Sequence, residues 1–93
     1  MTIRIVYSEN ARRALREITL FVAERDPSAA LRLVDGVERG LEGVLGVFPE
    51  AGVRLEDGLR FLTVRKHSVL YRFVAKADEV VVLDVFGPGM DWR

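Results

Sequence analysis

Between Leu59 and Trp92 the chain sets out three consecutive β-strand patterns that are apolar on both faces, and this feature limits the possible folds more than any other. Leu59, Phe61, Val69, Tyr71, Phe73, Val80 and Val82 fall on alternate positions, while Leu62, Val64, Leu70, Val74, Val81, Leu83 and Val85 fill the positions between them. Successive residues of a strand point to opposite faces, so a sheet built from these segments is apolar on both sides. An antiparallel sheet in a small domain ordinarily alternates apolar-in with polar-out. A sheet of this kind needs a cover on each side, and the pattern leaves open which set of residues faces which cover, because a one-residue shift of register exchanges them.

The preceding half of the chain supplies one cover. Residues 2–7 are rich in β-branched residues and alternate, a short first strand. Ser8 stands at the N-cap position of a helix with Glu9 in its first turn, where a negative charge complements the helix dipole. Ala11, Ala14, Leu15, Ile18, Phe21 and Val22 then follow at helical spacing and define a helix from about Glu9 to Arg25. Asp26-Pro27 ends it and starts the next, since Asp caps and Pro is tolerated at the first helical position. Ala30, Val34, Val37, Leu41, Val44 or Leu45, and Phe48 form the packing seam of the second helix, antiparallel to the first across a short turn. Gly36, Gly40, Gly43 and Gly46 interrupt this helix, the first three on one side of it. The preferred explanation is close packing within the chain or simple tolerance; a groove for a partner is the alternative.

Phe48-Pro49-Glu50-Ala51-Gly52 ends the second helix, and Glu56-Asp57-Gly58 supplies turn chemistry before the sheet. The first hairpin tip falls at Lys66-His67-Ser68 and the second at Ala77-Asp78. The expected fold is α+β with the order β-α-α-β-β-β, a helical hairpin packed on one face of a small, mainly antiparallel sheet. The hairpin returns the chain to the end of the first strand where it left, so the second strand is expected to run opposite to the first and the rest to meander. The other sheet face then stays open, with charges such as Arg60, Arg72 or Asp84 among apolar residues. An apolar surface of that extent exceeds what a monomer normally exposes and implies a partner.

Composition narrows the function. The 93 residues suffice for one domain, residues 1–93, with one core. With 14 Lys plus Arg against 14 Asp plus Glu, the chain lacks the basic footprint of a nucleic-acid binder, and no direct nucleic-acid binding is expected. No cysteine is present, and no run approaches a membrane span or a signal peptide, which points to a cytoplasmic protein without a membrane association. His67 is the only histidine, so a two-histidine metal site or a histidine-paired nucleophile within one chain is excluded; at a hairpin tip it is expected to be solvated. Gly87-Pro88-Gly89 has no following helix to present N–H groups to a phosphate and reads as a sharp exit from the last strand. No cofactor or metal is called for.

Taken in order, the short strand, the capped helix with Ala11-Arg12-Arg13-Ala14-Leu15, the Asp26-Pro27-Ser28-Ala29-Ala30 helix start, the Phe48-to-Gly52 loop, and the run from Leu59-Arg60-Phe61 to Tyr71-Arg72-Phe73 resemble the ParE branch of the ParE/RelE toxin superfamily. The closing Val85-to-Arg93 stretch is similar to the family ending of Val-Leu-His, two variable residues, then Met-Asp and an aromatic or aliphatic residue, with Gly87 where the family has histidine. The resemblance implies the toxin half of a bacterial toxin–antitoxin pair, inhibiting DNA gyrase without catalysis and held in a hetero-oligomer by a ParD-like antitoxin whose C-terminal segment wraps it. The antitoxin would be the missing cover. Met90, Asp91, Trp92 and Arg93 are the expected contacts at the tail, with Arg60, Arg65 and Tyr71 as weaker candidates for either partner. The alternative from the RelE branch is a ribosome-dependent messenger ribonuclease, with Arg60, Arg65 and Lys66 on phosphates and Tyr71 as proton donor; a further alternative is an inactive toxin-like binding module.

Overall fold

The computed structural model describes residues 2–88. Its elements are β1 (Arg4–Tyr7), α1 (Glu9–Ala23), α2 (Pro27–Leu45), β2 (Val53–Arg54), β3 (Leu59–Val64), β4 (His67–Val74) and β5 (Glu79–Phe86). Five strands form one sheet in the order β1-β5-β4-β3-β2, antiparallel except where β1 lies parallel to β5. The two helices pack on one face, giving the expected α+β architecture.

Each helix starts where its cap dictates. The Ser8 hydroxyl accepts from the Ala11 N–H at 3.0 Å, and the Asp26 carboxylate accepts from the Ala29 N–H at 3.0 Å, with Pro27 in the first turn. Gly46 follows the last turn of α2. The core lies between Ala11 of α1, Val37, Leu41 and Leu45 of α2, and Val64, Val69, Tyr71, Val80, Val82 and Val85 of the sheet.

The direction of β3 differs from the expectation. The short segment β2 reverses the chain once more before the sheet proper begins, so β3 runs in the same sense as β1, and β2, on the far edge, takes the opposite course, as β4 does. From β3 onward the strands meander as expected. The reversal is made at Glu56–Gly58, where Asp57 (φ 58°) and Gly58 (φ 73°) both take left-handed backbone.

The register fixes the faces. Leu62 opposite Val69, Arg60 opposite Tyr71, and Phe73 opposite Val80 turn toward the helices, whereas the rows Val53-Phe61-Leu70 and Leu59-Arg72-Val81-Val6 form the outer face. A bulge interrupts the pattern in β5: Leu70 pairs with Asp84 and Tyr71 with Val82, leaving Leu83 unpaired. Val82 and Val85, three positions apart, thereby both reach the core, and strict alternation would have placed Asp84 there instead. The Leu83 carbonyl freed by the bulge accepts from the Ser8 hydroxyl at 3.1 Å and the Asn10 amide at 3.2 Å, which ties the start of α1 to the sheet.

Gly36 and Gly40 are close-packing positions within the chain. A Cβ at Gly36 would lie 2.5 Å from Arg65 Nε, and one at Gly40 would lie 2.5 Å from Val64 Cγ1, so the β3–β4 hairpin rests directly on α2. Gly43 meets nothing within 4 Å.

Candidate functional site

On the helix side, at the C-terminal end of β5, a groove of about 920 Å³ opens between the helical hairpin and the sheet. Asn10, Arg13, Ala14, Glu17, Ile18, Phe21 and Val22 of α1 form one long wall. Their spacing of three and one is a single helical face, running about 18 Å at 1.5 Å per residue. Ala29 and Leu33 of α2 close one end; His67, Asp84, Val85 and Phe86 form the floor, which leads out through Gly87 and Pro88. The lining is mainly apolar, with Arg13, Glu17 and Asp84 as its charged groups.

Exposed apolar side chains lie on the helical hairpin, after α2, and on the outer sheet face, where Val6 and Val53 are 37% and 57% exposed. Leu20, Phe21 and Leu31 are 59%, 60% and 75% exposed, and Arg25 lies 5.1 Å over the Phe21 ring. Val47, Phe48 and Val53 make a second patch after α2. On the outer face Leu59, Phe61, Leu70 and Val81 shield one another enough to be half-buried.

His67 belongs to the groove and not to a solvated tip. Arg65 (φ 49°) and Lys66 (φ 65°) make a two-residue turn by themselves, so β4 begins at His67 and its ring turns inward opposite Val64, only 5% exposed. Its Nδ1 lies 2.7 Å from the Arg65 carbonyl oxygen. A carbonyl only accepts, so Nδ1 carries a proton.

At the opposite edge of the sheet a polar latch holds the loop between α2 and β2. The Arg60 guanidinium donates to the carbonyls of Glu50 and Gly52 at 3.0 and 3.1 Å and to the Glu50 carboxylate at 3.3 Å. The Gly52 N–H donates to the Tyr71 hydroxyl at 2.8 Å. Tyr71 has no exposed surface, and burial pushes its pKa up, partly offset by the Gly52 N–H and by Arg60. Gly52 is required here, because a Cβ would sit 2.7 Å from both the Phe61 carbonyl and the Tyr71 hydroxyl.

The structure therefore separates the residues singled out from sequence. Tyr71 is a core residue whose hydroxyl is bound internally, and Arg60 stands on the helix-facing side with its fork around the loop instead of on the outer face. Arg65 and Lys66 are exposed at the hairpin tip, with Arg65 lying on Gly36. Met90, Asp91, Trp92 and Arg93 lie outside the described residues. The groove and the latch were not evident in sequence. The available signals were the width of the α1 stripe, with Ile18, Phe21 and Val22 exceeding what two packed helices require, and a glycine immediately before the short strand.

The family model for the ParE toxin of the type II toxin–antitoxin system parDE matches residues 5–92. The chain belongs to the ParE toxin family. Among solved structures, this ParE-family chain is similar to the chromosomal ParDE toxin–antitoxin system from P. aeruginosa, with a TM-score of 0.76, 20% identity, and coverage of 92% of this chain and 96% of that one. It is also similar to the RelBE2 toxin–antitoxin complex from Mycobacterium tuberculosis (TM-score 0.66, 21% identity, 97% and 95% covered) and to isolated E. coli RelE toxin (TM-score 0.55, 15% identity, 97% and 88% covered). At these identities the likeness is one of fold. A comparison with curated proteins gives no match. Within a ParE-family toxin, the long apolar trough and the polar latch are two separate features of the described residues.

Proposed function

We propose that this type II toxin acts in the bacterial cytoplasm by binding and inhibiting DNA gyrase, without catalysing a reaction, and that a ParD-like antitoxin neutralises it by laying an apolar segment along the groove. The observation that carries the choice of binding over catalysis is the latch. A ribonuclease reading needs Tyr71 as proton donor and Arg60 on phosphate. Tyr71 is fully buried with its hydroxyl on the Gly52 N–H, and Arg60 is wrapped around the same loop. What remains exposed is Arg65 and Lys66, two cations at the hairpin tip, while the neighbouring His67 ring is turned inward.

The solved relatives support the antitoxin half of the proposal, since two of them are described as toxin–antitoxin assemblies. A trough of about 18 Å along one helix face suits a peptide segment. Arg65 and the residues Met90, Asp91, Trp92 and Arg93 are the proposed contacts with the target, Trp92 first among them because tryptophan and arginine dominate interface energetics.

Two assays on the purified chain test the reading. Supercoiling by gyrase is expected to be blocked in proportion to added toxin and restored by antitoxin. Cleavage of ribosome-bound message without any effect on gyrase would replace this reading with the ribonuclease one. Absence of both activities, together with normal growth on induction, would leave a binding module.

A further inference from the structure

We propose that the outer face of the sheet, centred on Arg72, docks the toxin's protein target, which meets it with a carboxylate framed by apolar side chains; this rests on the reading that the toxin acts by binding gyrase. The helices cover the opposite face, and among the described residues no element lies over this one. Leu59, Arg72, Val81 and Val6 form one row across β3, β4, β5 and β1, and Leu70 stands beside Arg72 on the same side of β4. Val6 and Val53 are exposed, while Leu59, Leu70 and Val81 are half-buried and still present part of their surface to solvent.

Arg72 breaks the apolar character of that row. Its side chain is exposed and has no hydrogen bond or ion pair among the described residues. The carboxylate diagonal to it in the register, Glu79 on β5, is bonded to Arg4 at the sheet edge. Asp84, opposite Leu70, accepts from the Val85 N–H and lines the groove. Arg4 and Glu79 compensate each other, so the face carries one uncompensated cation in an apolar frame.

That charge pattern selects the partner. A guanidinium fork matches a carboxylate or a phosphate. Nucleic-acid backbones are met by many cations together, and the chain has no basic excess. A lone arginine among apolar side chains is instead the make-up of a protein interface, where arginine is enriched and carries a large share of the energy. The surface is separate from the antitoxin groove, whose lining does not include Arg72. It also runs along β5, which ends at Phe86, shortly before the tail residues proposed as target contacts.

The test measures inhibition of gyrase supercoiling by the full-length chain and by its Arg72→Gln and Arg72→Glu variants, with antitoxin pull-down and thermal unfolding of each. Arg72→Gln is expected to need about tenfold more toxin for equal inhibition, and Arg72→Glu more again. Antitoxin capture and unfolding temperature are expected to match wild type, and inhibition by Arg72→Gln to respond less to added salt. Should both variants unfold, protection of wild-type Arg72 from a dicarbonyl reagent by bound gyrase decides the matter: protection supports the surface and free modification overturns it. Undiminished inhibition by Arg72→Glu reduces Arg72 to a side chain that shields the strands, overturning the proposal while the gyrase reading stands. Loss of antitoxin capture by a folded variant places the antitoxin on this face and overturns it equally. A wild-type chain that leaves gyrase untouched overturns both, and Arg72-dependent cleavage of ribosome-bound message in its place assigns the guanidinium to phosphate.

Discussion

Gly52 and Tyr71 carry the most sharply defined polar contact in the molecule. Tyr71→Phe removes the acceptor of a buried N–H and is expected to destabilise the fold by about 1–3 kcal/mol in urea unfolding. Tyr7 predicts the reverse. Its hydroxyl is buried with no hydrogen-bond partner among the described residues, so Tyr7→Phe is expected to leave stability unchanged or raise it. Burial, reinforced by Glu38 and Glu42, pushes the Tyr7 pKa up to about 12 from the ordinary 10.0. The unfolded chain therefore loses this proton first as pH rises. The contribution of the neutral phenol is fully present below the unfolded value and is lost between about pH 10 and 12, so a fluorescence-monitored alkaline transition in that window is expected to move to higher pH in Tyr7→Phe. At this scale the sequence was only partly legible. The inward turn of His67 depends on Arg65 and Lys66 both adopting left-handed backbone, and neither residue type announces such a turn as Asn-Gly would. Arg60 was expected on the open face as a partner or phosphate contact, whereas its bonds go to a loop whose path the sequence does not specify.

The elements themselves were readable because their signals are local. Ser8 and Asp26 cap the helices at the positions their side chains imply, and the stripes bury Ala11 of α1 and Ala30, Val37, Leu41 and Leu45 of α2, while Phe21, Val44 and Phe48 of the expected stripes stay exposed. Two features escaped because they depend on tertiary pairing. A two-residue strand, Val53–Arg54, is too short to show a period, and it is what reverses the direction of every later strand. The bulge at Leu83 is stabilised by Ser8 and Asn10 from far along the chain, so nothing near Leu83 signals it. The glycines of α2 provide a test at this scale. Gly40→Ala places a methyl against Val64 and is expected to cost about 1–3 kcal/mol by overpacking. Gly43→Ala enters open space and is expected to stabilise the helix by about 0.5–1 kcal/mol. Equal effects in thermal unfolding would contradict the close approach of the β3–β4 hairpin to α2.

For the molecule as a whole, the strands are apolar on both sides, and the structure leaves apolar surface both in the groove on the helical side, whose lining includes His67, and on the outer face at Val6 and Val53. In the middle of the outer face Leu59, Phe61, Leu70 and Val81 are half-buried, which a strand-by-strand pattern does not reveal. The proposed division of labour, antitoxin in the groove and target at the tail, predicts that deleting residues 89–93 abolishes growth arrest while preserving antitoxin capture in a pull-down. Full toxicity of the deletion would show the tail to be dispensable. The central claim, that this ParE-family toxin inhibits by binding, is tested most directly by gyrase supercoiling with the purified chain, titrated alone and then with its antitoxin. The account predicts dose-dependent loss of supercoiled product, reversed at stoichiometric antitoxin; undiminished supercoiling at saturating toxin, with cleavage of ribosome-bound message in its place, would contradict it.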